Sequence, residues 1–93
     1  MATKSEQLHM SRVAALGCCV CRNEFGLNSD AEIHHVGNGT LGKRASNYEV
    51  IQLCFLHHRG GGIGVAEHAG RKSFESNFGT ERELLAQTLE LLK

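Results

Sequence analysis

The chain has no proline, no internal repeat and no low-complexity tract, so nothing in it marks a linker or a boundary between domains. It has no net charge either, ten basic side chains standing against ten acidic ones, and bulk electrostatics therefore announce no nucleic-acid partner. No segment approaches the roughly 18 consecutive apolar residues of a membrane span, and no apolar signal-peptide core follows the basic residue near the N-terminus. These absences lead us to expect a cytoplasmic chain with no membrane partner, in a reducing compartment. Length is the other constraint. The 93 residues read as a single domain, 1–93, and a domain of that size is marginal without a disulfide or a metal to staple it.

What the chain does have is a patterned set of cysteines and histidines. Cys18-Cys19-Val20-Cys21 is a knuckle, and Cys54-Phe55-Leu56-His57-His58 offers a second ligand pair far downstream. Four cysteines could make two disulfides, but Cys18 and Cys19 are adjacent, and Cys-x-x-Cys followed much later by Cys-x-x-His is spaced for a tetrahedral zinc. Cys18, Cys21, Cys54 and His57 are therefore the expected structural Zn²⁺ ligands, against the alternative of ordinary buried cysteines. Cys19 is left over and reads as a small core residue.

Three histidines remain beside that site. Ile33-His34-His35 lies in a short β-like run, where neighbouring side chains point to opposite faces. One imidazole can hold a metal while the other takes a proton from water, since neutral imidazole serves both purposes near pH 7. The alternative is a pair of surface histidines at a strand end. His58 follows the last zinc ligand with its ring available for other work.

The remaining organisation reads as α+β: helix, metal knuckle, hairpin, loop-rich centre, two helices. Thr3-x-x-Glu6 is a capping box, with Leu8, Val13 and Leu16 at helical spacing until Gly17, so a helix is expected over about 4–16. Residues 31–36 and 49–53 are short β-like runs joined by a glycine-containing loop. Phe74 and Phe78 mark a short helix over about 70–78; Thr80-x-x-Glu83 is a second capping box, with Leu85, Leu89 and Leu92 as the expected buried stripe.

The basic side chains Lys43, Arg44, Arg59, Arg71 and Lys72 gather mid-chain against only Glu49 and Glu67, a local surplus that could meet phosphates or be scattered solvated charge. Gly37 to Lys43 has the Gly-x-x-x-x-Gly-Lys spacing of a phosphate-binding loop, but Arg44 stands where a hydroxyl should hold magnesium. No small-molecule cofactor is expected.

Ile33-His34-His35, then Asn47, then Leu53-Cys54-x-x-His57-His58 resembles the ββα-metal fold of HNH nucleases. Together with Gly42 to Ser46, Gly64 to Gly70 and Phe74 to Thr80, the pattern is similar to the Ref recombination-enhancement nucleases of bacteriophages, over a core of about 12–85. The resemblance implies a small zinc-braced, treble-clef-like domain with flanking N- and C-terminal helices. It implies a DNA endonuclease, phage or prophage encoded, acting in the host cytoplasm in recombination, with RecA filaments as a partner. It implies His35 as general base, Asn47 as the middle residue of the pattern, and His34 and His58 as ligands of a catalytic Mg²⁺ or Mn²⁺ that Zn²⁺ could replace. His68 would be a third ligand or a phosphate contact, or else an exposed helix histidine. Lys43, Arg44, Arg59 and Lys72 would clamp the DNA backbone without reading sequence. The products would carry a 5′ phosphate and a 3′ hydroxyl. The chain opens almost directly on its first helix, with no long basic arm; where such an arm carries filament binding in relatives, weaker binding or another partner is expected here. The competing function is a non-catalytic zinc module that binds DNA or protein.

Overall fold

The computed structural model describes residues 2–36 and 46–93, so Lys43, Arg44 and the phosphate-loop-like stretch lie outside the described residues. The chain begins with helix α1 (Lys4–Ala15), whose capping box closes as the sequence dictates: Thr3 Oγ1 accepts from the Glu6 backbone N–H at 3.1 Å, and Glu6 Oε1 accepts from the Thr3 backbone N–H at 2.7 Å. The face turned inward is Glu6, His9, Met10 and Val13, whereas Leu8 is 63% exposed, contrary to the expected stripe. Val13 is the helix's buried anchor, and counting back from it by three, four and seven residues reaches Met10, His9 and Glu6 rather than Leu8.

Gly17 turns the chain with φ +81° into a second helix, α2 (Cys19–Phe25), where only a knuckle was expected. A side chain at Gly17 would strike the Asn28 carboxamide, so both the backbone conformation and the close approach require glycine. Cys18 is the N-cap of α2, its Sγ accepting from the Cys21 backbone N–H at 3.4 Å, and Gly26 ends the helix in the left-handed conformation.

Strands β1 (Glu32–His35) and β2 (Val50–Leu53) pair antiparallel, with Glu32 opposite Leu53 and His35 opposite Val50. β2 is buried along its whole length because α1, α2 and α4 all pack on it, which explains why its sequence does not alternate cleanly. Gln52 is tolerated there because its Oε1 accepts from Thr88 Oγ1 at 2.8 Å.

After β2 the chain makes a π-helical turn (Leu56–Gly60), a short 3₁₀ turn (Glu67–Ala69), and helices α3 (Arg71–Phe78) and α4 (Glu81–Leu91). The second capping box also closes, Thr80 with Glu83. The inward face of α4 is Glu81, Leu84, Leu85 and Thr88, at i, i+3, i+4 and i+7, while Leu89 is 42% exposed. The expected leucine stripe is thus rotated, because α4 must present Glu81 to His34 and Thr88 to Gln52. The core gathers Cys18, Cys19, Val20, Val36, Ile51, Leu53, Phe74, Leu84 and Leu85. No helix among the described residues is long and apolar enough to cross a membrane.

Candidate metal centres and active site

The knuckle residues converge from two elements. Cys18 and Cys21 come from the start of α2; Cys54 and His57 come from the end of β2 and the turn after it. Their ligand atoms all lie within 4.8 Å of one another. Cys54 Sγ is 3.2 Å from His57 Nδ1, Cys21 Sγ 3.6 Å and Cys18 Sγ 3.7 Å, and the Cys21 and Cys54 sulfurs are 3.8 Å apart. A tetrahedral ion with sulfur ligands near 2.3 Å and nitrogen near 2.0 Å has edges of about 3.5–3.8 Å, so this donor set fits such an ion with little adjustment. Burial pushes the Cys18 thiol up to about 12, and burial lowers the pKa of His57, leaving it neutral with a lone pair to offer. Without a cation Cys18 therefore keeps its proton, and a bound cation would have to displace it to make the thiolate ligand. Cys19 stands apart from the group, packed in the core.

The π-helical turn separates the two histidines of the second doublet. Consecutive side chains on a helical turn diverge by about 100°, so His57 faces the cysteines while His58 faces β1. The His58 N–H donates to Cys54 O at 2.8 Å, and the Gly61 N–H closes the wider turn on Leu56 O at 2.9 Å. A Cβ on Gly61 would stand 2.5 Å from that same carbonyl oxygen, so the turn can close only on glycine.

His34, His58 and His68 form a second group whose ligand atoms lie within 4.8 Å of one another. Their rings meet edge to face, with centroids 5.1 Å apart for His34 and His58 and 4.4 Å for His58 and His68. His58 Nδ1 lies 2.8 Å from Glu32 Oε1, which leaves Nε2 as its free ring nitrogen. Glu32 is in turn fixed by Arg59, whose Nη2 and Nε donate to its two oxygens at 2.8 and 3.1 Å. The hydrogen bonds of Arg59 and then His58 hold the Glu32 carboxyl down at about 2. Arg59 therefore already carries a bidentate partner, and its guanidinium also lies 5.1 Å from the centre of the Phe55 ring.

Two buried carboxylates that the sequence reading did not single out complete this site. His34 Nε2 lies 2.8 Å from Glu81 Oε2 and 3.5 Å from Glu67 Oε2, and the trio forms a third possible metal-binding group. Burial, then a hydrogen bond shared with Glu81, pushes the Glu67 carboxyl up to about 7. Burial would raise Glu81 as well, but its hydrogen bonds with His34 and Glu67 outweigh that and hold it at about 2. Arg71 Nη2 stands 3.6 Å from Glu81 Oε1, so this mid-chain cation is turned toward the acidic pair. Neither carboxylate has a clear sequence signal. Glu81 occupies the first turn of a capped helix, where an acid is expected for the helix dipole alone. Glu67 could have been noticed only through its neighbour His68.

His35 points to the other face of β1 and is exposed. Its Nε2 lies 2.8 Å from Asn47 Oδ1, which brings together two residues that the sequence separates by a stretch of undescribed chain. Lys72 lines an open groove of about 450 Å³ with Ile63, Gly64, Ser73, Ser76 and Asn77.

A small α+β scaffold whose described residues bring together a Cys₃His cluster and a histidine–carboxylate cluster defines a candidate metal-binding protein. Residues 2–93 match the family model described as recombination enhancement, RecA-dependent nuclease, and the chain belongs to that family. The match extends past both ends of the core on which the resemblance was read. Comparison with curated proteins gives no match.

Proposed function

We propose that the chain is a metal-dependent DNA endonuclease of the HNH, ββα-metal type. The observation that carries this reading is the convergence of His34 from β1, His58 from the turn after β2 and His68 from the 3₁₀ turn; His35, next in the strand, meets Asn47 on the other face of β1. The antiparallel strand pair, followed by a helical turn that bears the second histidine doublet, supports this reading. Cys18, Cys21, Cys54 and His57 serve as the structural zinc site, fixing the turn that carries His58.

In this reading His34, His58 and His68 hold the catalytic cation, with Glu67 and Glu81 adding oxygen donors or negative charge around it. A mixed nitrogen and oxygen set supports Mg²⁺ or Mn²⁺ as well as Zn²⁺. When bound, the cation offsets the negative charge that grows on the scissile phosphate and leaving oxygen. His35 takes the proton from the attacking water as general base. Asn47 orients its ring, Glu32 orients His58, and Glu81 orients His34. Lys72, with Lys43 and Arg44, supplies backbone contacts; Arg59 joins them where a phosphate competes with Glu32. The family description supports RecA filaments as the partner and DNA as the substrate.

Nicking of DNA by the parent and by His35→Ala, with Mg²⁺ or Mn²⁺, tests the proposal. Loss of nicking in the variant is expected. Equal activity in both would remove His35 as the base, and none in either would leave a non-catalytic zinc module as the better reading. Cleavage at one rate with and without RecA would remove the filament dependence.

A further inference from the structure

Asn47 is the link through which α1 reaches the exposed histidine. Its Oδ1 stands 2.8 Å from His35 Nε2, and its Nδ2 donates to Glu6 Oε2 at 3.2 Å. Glu6 is on the inward face of α1, and its other oxygen, Oε1, is occupied by the Thr3 backbone N–H of the capping box at 2.7 Å. The hydrogen bonds of Thr3 and then Asn47 hold the Glu6 carboxyl below its ordinary value, so it is an ionised group that can only accept.

That single property fixes the whole chain of hydrogen bonds. Because Glu6 cannot donate, the Asn47 amide must turn its NH₂ toward Glu6 and its oxygen toward His35. Because that oxygen can only accept, His35 Nε2 must carry the ring proton. The lone pair of the neutral imidazole is then on Nδ1, the nitrogen not engaged by Asn47. We infer that Glu6 is a positioning residue, acting through Asn47 to set which ring nitrogen of His35 is free to accept a proton. The inference rests on His35 being the general base, and it extends the active site to the first turn of the N-terminal helix. It also gives the capping box a second purpose, since the Thr3 N–H that caps α1 also anchors the carboxylate that orients the amide.

The decisive variant is Glu6→Gln. Glutamine keeps an acceptor for the Thr3 N–H and so preserves the capping box. Its remaining atom, however, is now an NH₂ facing the NH₂ of Asn47. Relief comes when the Asn47 amide rotates, presenting its oxygen to the new donor and its NH₂ to His35 Nε2. That nitrogen must then accept, and the ring proton moves to Nδ1.

The experiment is ¹⁵N nuclear magnetic resonance of the histidine rings in the zinc-loaded protein, read alongside DNA nicking with Mn²⁺. The parent is expected to show neutral His35 protonated on Nε2, and Glu6→Gln to show it protonated on Nδ1. Nicking should fall in kcat by about tenfold or more, within the ~10²–10⁴-fold worth of a general base, with KM nearly unchanged. Glu6→Ala removes the constraint without inverting it, so a mixture of the two ring forms is expected; it serves as the second variant. Thr3→Ala loses the cap hydroxyl but keeps the backbone N–H that holds Glu6, and it should retain the parent's ring form and nicking. The same His35 form in the parent, Glu6→Gln and Glu6→Ala would overturn the inference, as would a switch in Thr3→Ala. A switch of the ring form with unchanged nicking would uphold the hydrogen-bond chain and remove His35 as the base, so failure of the two readings is distinguishable.

Discussion

At the scale of single residues, the two histidine doublets are not equivalent pairs. His57 stands with three cysteines, and His58 with His34 and His68, although the two are adjacent in the chain. His57→Ala should therefore lose the ordered site, whereas His58→Ala should stay folded and stop nicking. Circular dichroism melts of both variants beside the nicking assay check this, and equal loss of structure in the two would contradict it. The carboxylates that orient the histidines allow a finer test. Glu32→Gln keeps shape but weakens the hold on His58 Nδ1, and loss of such a partner typically costs about 10- to 100-fold in metal affinity or activity. The Mn²⁺ concentration needed for half-maximal nicking should rise by that order while the melting temperature barely moves, because the exposed Glu32–Arg59 pair contributes little to stability. The grouping of Cys18, Cys21, Cys54 and His57 was legible from spacing, and His34 and His58 were singled out by resemblance. Glu32, Glu67 and Glu81 were not, because an acidic residue looks the same in sequence whether it faces water or a buried imidazole.

At the scale of elements, the capped helices were the most legible features, since a capping box is a local contract between residues three apart. Both boxes close where the sequence places them, and helices α1 and α3 start and end within about two residues of expectation while α4 starts at its box. Thr80→Ala should destabilise the protein by about 1 kcal/mol, the usual worth of an N-cap, as read from the midpoint of urea unfolding. It should also reduce nicking, because the residue after the cap is Glu81, held against His34 by the start of that helix. What the sequence concealed was the rotation of helices about their axes. Leu8 and Leu89 are exposed because α1 and α4 turn polar residues inward, toward Asn47, Gln52 and His34. Helix α2 was concealed differently: its seven residues carry no apolar periodicity, and Cys18 caps it with sulfur in place of the usual oxygen.

At the scale of the whole molecule, a two-stranded sheet and short helices around a small core hold together with the Cys₃His cluster at their junction. Removal of the metal by a strong chelator should therefore abolish the cooperative melt, and zinc should restore it, measured by calorimetry with metal analysis. Acid should have the same effect as the chelator. Cys18 binds its proton tightly when no metal is present, with burial raising it to about 12, so lowering the pH favours the thiols over the metal-bound thiolates. Zinc content measured from pH 8 down to pH 5 should fall, and Cys54→Ala should release the metal at every pH in that range. If that variant folds normally and keeps all its zinc, the bracing role is wrong.

The sequence alone determined what acts through local spacing: the capped helices, the strand pair, the ligand turns and the family that the motifs resemble. The caps and ligand turns depend on residues a few positions apart, where chain geometry leaves few choices. Tertiary structure decided what depends on distant elements meeting: which helix faces turn inward, the carboxylates against His34 and His58, and the link from Glu6 through Asn47 to His35. Those contacts join residues 12 to 47 positions apart. Their partners are selected by burial and by the directionality of donors and acceptors, which exist only once the chain has folded.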